Sequence, residues 1–141
     1  MRNLADRLHI KASSLYKHVD GRDRIVAHIQ ENGLRSCHAA LSRSRPNRSD
    51  FANAYRKWAI DNPHLYEATM RTPLVRSGMD TDIEKQLVAL VMMVINGSHE
   101  QARAAWSLVH GFGDLELLRR FPSKANMKKS WDFVLQMLDA L

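Results

Sequence analysis

Cysteine is almost missing from this chain: Cys37 is the single one in 141 residues. An intramolecular disulfide is therefore excluded, no thiolate cluster is available for a structural metal, and a reducing compartment is expected. Glycine and proline are also scarce, at six and four residues. Apolar side chains recur at spacings of three and four almost everywhere, so the chain reads as all-α with no strand. Long hydrophobic runs are lacking too. The longest, Leu87 to Ile95, falls well short of the roughly 20 residues that span a bilayer, and no signal-like apolar stretch opens the chain. The expectation is a cytoplasmic protein with no membrane partner. Seven histidines are present, yet no two stand three or four apart, so no helix face offers two imidazoles to one ion. Asp80 to Glu84 begins like a calcium loop but lacks its glycine and closing glutamate, and reads as a helix start. No cofactor and no metal are expected.

What is present is a core and an uneven charge. Hydrophobic residues make up 45% of the chain, enough to bury a core, and the formal charge is +6. Residues 1 to 49 hold ten Lys and Arg against four Asp and Glu, while residues 50 to 141 hold eleven of each. The excess is confined to the first third, which points to a polyanion partner there and a different task for the remainder.

The chain reads as a short helix over about 2–8, a turn at His9-Ile10-Lys11, and a second short helix over about 12–19. Asp20 is placed to cap a long helix reaching about Leu41, which Asn32-Gly33 should weaken or bend. The polar, basic stretch Ser42 to Ser49 separates a module at 1–41 from a domain at 50–141. Beyond it, Asp50 is expected to cap a helix ending near Asp61, and Asn62-Pro63 to start another to about Met70. Thr81 with Glu84 has the spacing of a capping box before a helix to about Ile95. Asn96-Gly97 closes that helix, and Ser98 with Gln101 repeats the pattern before one reaching about Phe121. A last helix runs from about Ala125. Leu87 to Ile95, apolar on every side, is expected in the middle of the domain. Trp106, Val109, His110, Phe112 and Leu117, with Trp131, Val134 and Leu138, form stripes suited to a four-helix bundle with a second copy.

Helix, three-residue turn and helix is the arrangement that places a second helix in the major groove. Ser13, Ser14, Tyr16, Lys17 and His18 supply donors and acceptors on that second helix, while Lys11 and Arg22 are placed to meet phosphates. The run "LADRLHIKASSLYKHVDGRDRIV", Leu4 to Val26, resembles the DNA-binding segment of the tetracycline-repressor family. "AAWSLVHGFGDLEL", Ala104 to Leu117, is similar to the tryptophan-histidine-glycine motif of one C-terminal domain type in that family, through Trp106, His110 and Gly111. "NPHLY", Asn62 to Tyr66, also fits.

The resemblance implies a ligand-responsive transcriptional regulator, a repressor that binds double-stranded operator DNA as a homodimer and is released by a small molecule. Trp58, Tyr66, Met70, Met79, Met92 and Met93 are candidates to line the effector pocket, and methionine suits apolar effectors. The family's first helix would precede Met1. Its absence suggests a start further upstream, the alternative being a dimerising, ligand-binding remnant without DNA binding. His110 and Asp114, one turn apart, have base-and-orienter spacing but no partnering nucleophile, so no enzyme activity is expected.

Overall fold

The computed structural model describes Arg7 and residues 21–141 of the chain. The two short helices expected near the start lie outside the described residues, apart from Arg7, which is helical and exposed. From residue 21 onward there are six helices and no strand: α1 (Arg22–Ser42), α2 (Arg48–Asp61), α3 (Pro63–Met70), α4 (Asp82–Ile95), α5 (His99–Leu117) and α6 (Met127–Asp139). The protein is all-α, as the three- and four-residue spacing predicts.

Several helix ends differ from the sequence expectation in which side chain does the capping. Gly21, at φ 95°, stands at the N-cap of α1 with no side-chain cap; Asp20, the expected cap, lies outside the described residues. Asn47 caps α2 by accepting from the Asp50 N–H at 2.8 Å; Asp50 is the donor to the cap rather than the cap. Thr81, at φ −74° and ψ −7°, already has helical backbone and makes no side-chain cap bond, and the Glu84 carboxylate is held by Arg76 through two bonds of 2.6 and 3.0 Å. The Ser98 and Gln101 capping box before α5 is formed in both directions. Helix α5 ends at Leu117, four residues before Phe121, with Arg119 at φ 54° in the reversal that follows.

One core joins all six helices, with Ala27, Leu34, Cys37 and Leu41 of α1 in the same cluster as Trp58, Tyr66, Ile83, Val109, Trp131 and Leu138. Burying apolar faces in this way supplies the main stabilisation of such a bundle. Helix α1 packs chiefly on α3, and α2 lies against α5 and α6. Gly33 marks the tightest crossing: a Cβ placed there would stand 1.9 Å from Thr69 Oγ1. The glycine serves a close approach between helices, and α1 continues through it for 21 residues.

Two buried-face expectations change. Helix α4 is not enclosed on every side, since Val88 and Met93 are 50% and 59% exposed. Trp131, Val134, Leu138 and Val109 are buried in the chain's own core. The apolar side chains left outside on α6 and at the end of α5 are Phe133, Met137, Leu115 and Leu118. The reason is geometric: α6 has apolar residues on more than one face, and its tryptophan stripe packs inward on Phe112 and Arg56. Among the described residues no helix is long and apolar enough to cross a membrane.

Candidate functional site

Helical spacing brings polar side chains together inside the bundle. Tyr55 and Trp58 lie one turn apart on α2, Tyr66 stands on α3, and Trp106, His110 and Asp114 follow one another at four-residue intervals along α5. Their rings form a continuous group. Tyr55 lies 4.7 Å from Trp106 and 6.0 Å from Trp58, Tyr66 lies 5.7 Å from His110, and the Trp106 and His110 planes are within 7° of parallel.

Polar contacts link these rings into a chain. His110 Nδ1 sits 2.9 Å from the Tyr55 hydroxyl and 3.1 Å from that of Tyr66. The Tyr66 hydroxyl also donates to Asp114 Oδ1 at 3.4 Å, and Arg71, at the end of α3, forms an ion pair with that oxygen at 2.9 Å. Burial keeps both phenols protonated well above the usual tyrosine range, the Asp114 charge adding to the effect at Tyr66. Burial also lowers the His110 pKa, opposed by Asp114 and reinforced by Arg71. The imidazole is therefore neutral at physiological pH, in a network where polarity is satisfied internally.

Beside this cluster lies a small apolar cavity of about 20 Å³, lined by Phe51, Tyr55, Val91, Val94, Trp106 and Val109 among others. That is room for about one water molecule. A larger guest would enter only with movement of the partly buried Val91 and Trp106.

The expected effector residues divide. Trp58 and Tyr66 are buried within 6.1 Å of each other, the indole donating to Ser36 at 3.0 Å. Met79 is buried, Met70 packs at the edge of the core, and Met92 lies in a shallow groove with Val88 and His99. Met93 is on the outside. Tyr55, Arg71 and Asp114, absent from the expected set, hold the cluster together. Tyr55 was findable as the middle of the Phe51, Tyr55, Trp58 stripe, whereas Arg71 reaches Asp114 only through the fold.

Of the expected DNA contacts, Lys11, Ser13, Ser14, Tyr16, Lys17 and His18 lie outside the described residues. Arg22 is exposed in the first turn of α1. Of the expected interface residues, Trp106, His110, Phe112 and Leu117 are half-buried. Among the described residues no group of three or more His, Cys, Asp or Glu could hold a metal ion.

Residues 49–138 match the model of the family described as Tetracyclin repressor-like, C-terminal domain. The chain belongs to the tetracycline-repressor family. In sequence it is 26% identical to the uncharacterized HTH-type transcriptional regulator YobS of Bacillus subtilis (strain 168), over 94% of this chain and 76% of that protein. In fold it is similar to the crystal structure of SCO4313, a protein whose name calls it regulatory. That likeness has a TM-score of 0.79 at 21% identity and covers 97% of this chain and 83% of the other. The family is one of transcriptional regulators, and the aromatic and polar cluster lies wholly within the span that the C-terminal family model matches.

Proposed function

We propose that this tetracycline-repressor family member is a ligand-responsive repressor, a cytoplasmic homodimer that binds operator DNA and is released by a small, largely apolar molecule. The observation that carries the reading is the course of α1. Its first turn, with Arg22, follows the basic segment at 1–20, and its buried face from Ala27 to Leu41 is part of the C-terminal core. One rigid element thus leads from a segment suited to DNA into a domain suited to a guest. Division into a DNA module at 1–41 and an effector and dimerisation domain at 50–141 belongs to the same reading. No catalytic role is assigned.

On this reading Lys11, Ser13, Ser14, Tyr16, Lys17, His18 and Arg22 face the operator, and the effector enlarges the cavity beside Tyr55 and Trp106. The second copy meets the apolar surface of Leu115, Leu118, Phe133 and Met137. The test is fluorescence anisotropy of the protein with DNA from beside its own gene and with shuffled DNA, over about 50 to 200 mM salt. Preference for the former, with log affinity falling linearly in log salt, is expected. Equal affinity for both sequences would overturn the reading.

A further inference from the structure

Residues 50–141 hold eleven Lys and Arg, and five of them, Arg119, Arg120, Lys124, Lys128 and Lys129, fall within 118–129, a stretch with no Asp or Glu. The other six are each paired with a carboxylate. In the stretch itself, Lys128 is paired with Asp132 at 2.7 Å. Arg119, Arg120, Lys124 and Lys129 are exposed and have no carboxylate partner among the described residues. Glu116, just before them, is already held by Arg56 through two bonds.

Two local preferences are set aside to place charge there. Arg119, at φ 54°, closes α5 in the left-handed backbone that favours glycine. Its N–H donates to Glu116 O at 3.0 Å and that of Arg120 to Leu115 O at 2.9 Å, which fixes the reversal. Lys128 and Lys129 stand in the first turn of α6, at the positive end of the helix dipole, where anionic side chains are favoured instead. Sequences depart from local preference chiefly where a function is served. The position also matters. Arg48 gathers the start of α2 with the ends of α4 and α6. Helix α1 runs toward that end of the bundle, and α5, which follows α4, runs away from it. The connection at 118–126 and the first turn of α1, with exposed Arg22, thus lie toward the opposite end, the one that leads to the basic segment 1–20.

We propose that Arg119, Arg120, Lys124 and Lys129 form a second contact surface for the phosphate backbone of double-stranded DNA, separate from the N-terminal segment and indifferent to base sequence. A duplex carries one charge per about 1.7 Å of its axis, so its backbone complements an unpaired basic surface at the same end of the molecule as the first. The surface rests on the reading of a DNA-binding regulator and extends it to the C-terminal domain.

Salt titration of duplex binding by the full chain tests this. The triple variant Arg120→Gln, Lys124→Gln, Lys129→Gln is set against Lys57→Gln, Lys85→Gln, Arg103→Gln, which removes the same charge from paired sites of the same domain. Each phosphate contact contributes about 0.9 to the slope of log affinity against log salt, so the first variant is expected to lose about 2 or more of that slope. Its affinity at about 50 mM salt is expected to fall about tenfold or more, while the second variant keeps the parent slope. The loss is expected to be equal on DNA from beside the gene and on shuffled DNA, because phosphate contacts carry no sequence information. Preference between the two DNAs, on which the regulator reading stands, is thus read separately from the slope. An unchanged slope in the first variant overturns the surface, as does an equal fall in both variants or a parent chain that binds no duplex. Weakened binding to phosphatidylserine vesicles with an unchanged DNA slope would assign the patch to a lipid surface and overturns it too.

Discussion

Arg48 shows how much one side chain can hold. It donates through Nη2 to Ile95 O at 2.7 Å and through Nη1 to Leu138 O and Asp139 O at 3.2 and 3.1 Å. One guanidinium thereby satisfies open carbonyls at the ends of α4 and α6, where its charge also complements the negative ends of both helix dipoles. Arg48→Met should cost about 2–3 kcal/mol in chemical unfolding, because the carbonyls lose a charged donor; a loss within the noise would show that water replaces it. Cys37 behaves in the opposite way. It is fully buried, and burial pushes its thiol up to about 12. It should stay unmodified by a thiol reagent in the native state and react at the ordinary rate once the chain is unfolded. Cys37 was visible in the sequence as a lone cysteine, but its place on the buried face of α1 was not. The three carbonyl partners of Arg48 lie 47, 90 and 91 residues away, too far for any local pattern to show.

At the scale of the element, the best read helix start is that of α5. Ser98 and Gln101 cap each other, and Gln101 Nε2 also donates to Leu141 O at 2.7 Å. Ser98→Ala should destabilise by about 1 kcal/mol, measured as a shift in the denaturation midpoint at unchanged slope. The Thr81 pattern has the same spacing and does not close: Thr81 is itself helical in backbone, and Arg76, eight residues before Glu84, takes the carboxylate. Spacing alone cannot distinguish these two cases, because a surface glutamate pairs with whichever donor the fold brings near. The same holds for Gly33: the sequence marks it as a weak point in a helix, and only the crossing with α3 shows that its missing side chain makes room for Thr69.

For the whole molecule, His110 couples stability to pH. Its folded pKa lies below the unfolded value of about 6.5. The unfolded chain therefore binds the proton more readily, and stability falls as pH drops from about 6.5 through the folded value. His110→Gln should flatten that part of the profile while leaving the decline at lower pH. That decline comes from carboxylates held below their usual range, Glu31 by the Asp80 N–H and Arg35, Asp80 by the Asp82 N–H and Arg35, and Glu84 by Arg76. The outer apolar surface of α5 and α6 governs assembly on the proposed reading. Phe133→Glu with Met137→Lys should turn a dimer into a monomer in sedimentation velocity with helicity intact. A dimer that survives both changes would place the interface elsewhere.

Local sequence by itself determined the helical class, the positions of most helices, the loop around Pro46 and the concentration of positive charge before residue 50. Each depends on near neighbours: three- and four-residue spacing, capping chemistry and composition. Tertiary structure alone decided which face of each helix turns inward. It placed Trp131, Val134 and Leu138 in the core and left Phe133 and Met137 outside, a choice among faces that periodicity leaves open when a helix is apolar on more than one side. It also assembled the cluster of Tyr55, Tyr66, His110, Asp114 and Arg71 from three helices. Hydrogen bonds between residues 44 to 55 positions apart follow from how helices cross, and no short window of sequence encodes a crossing.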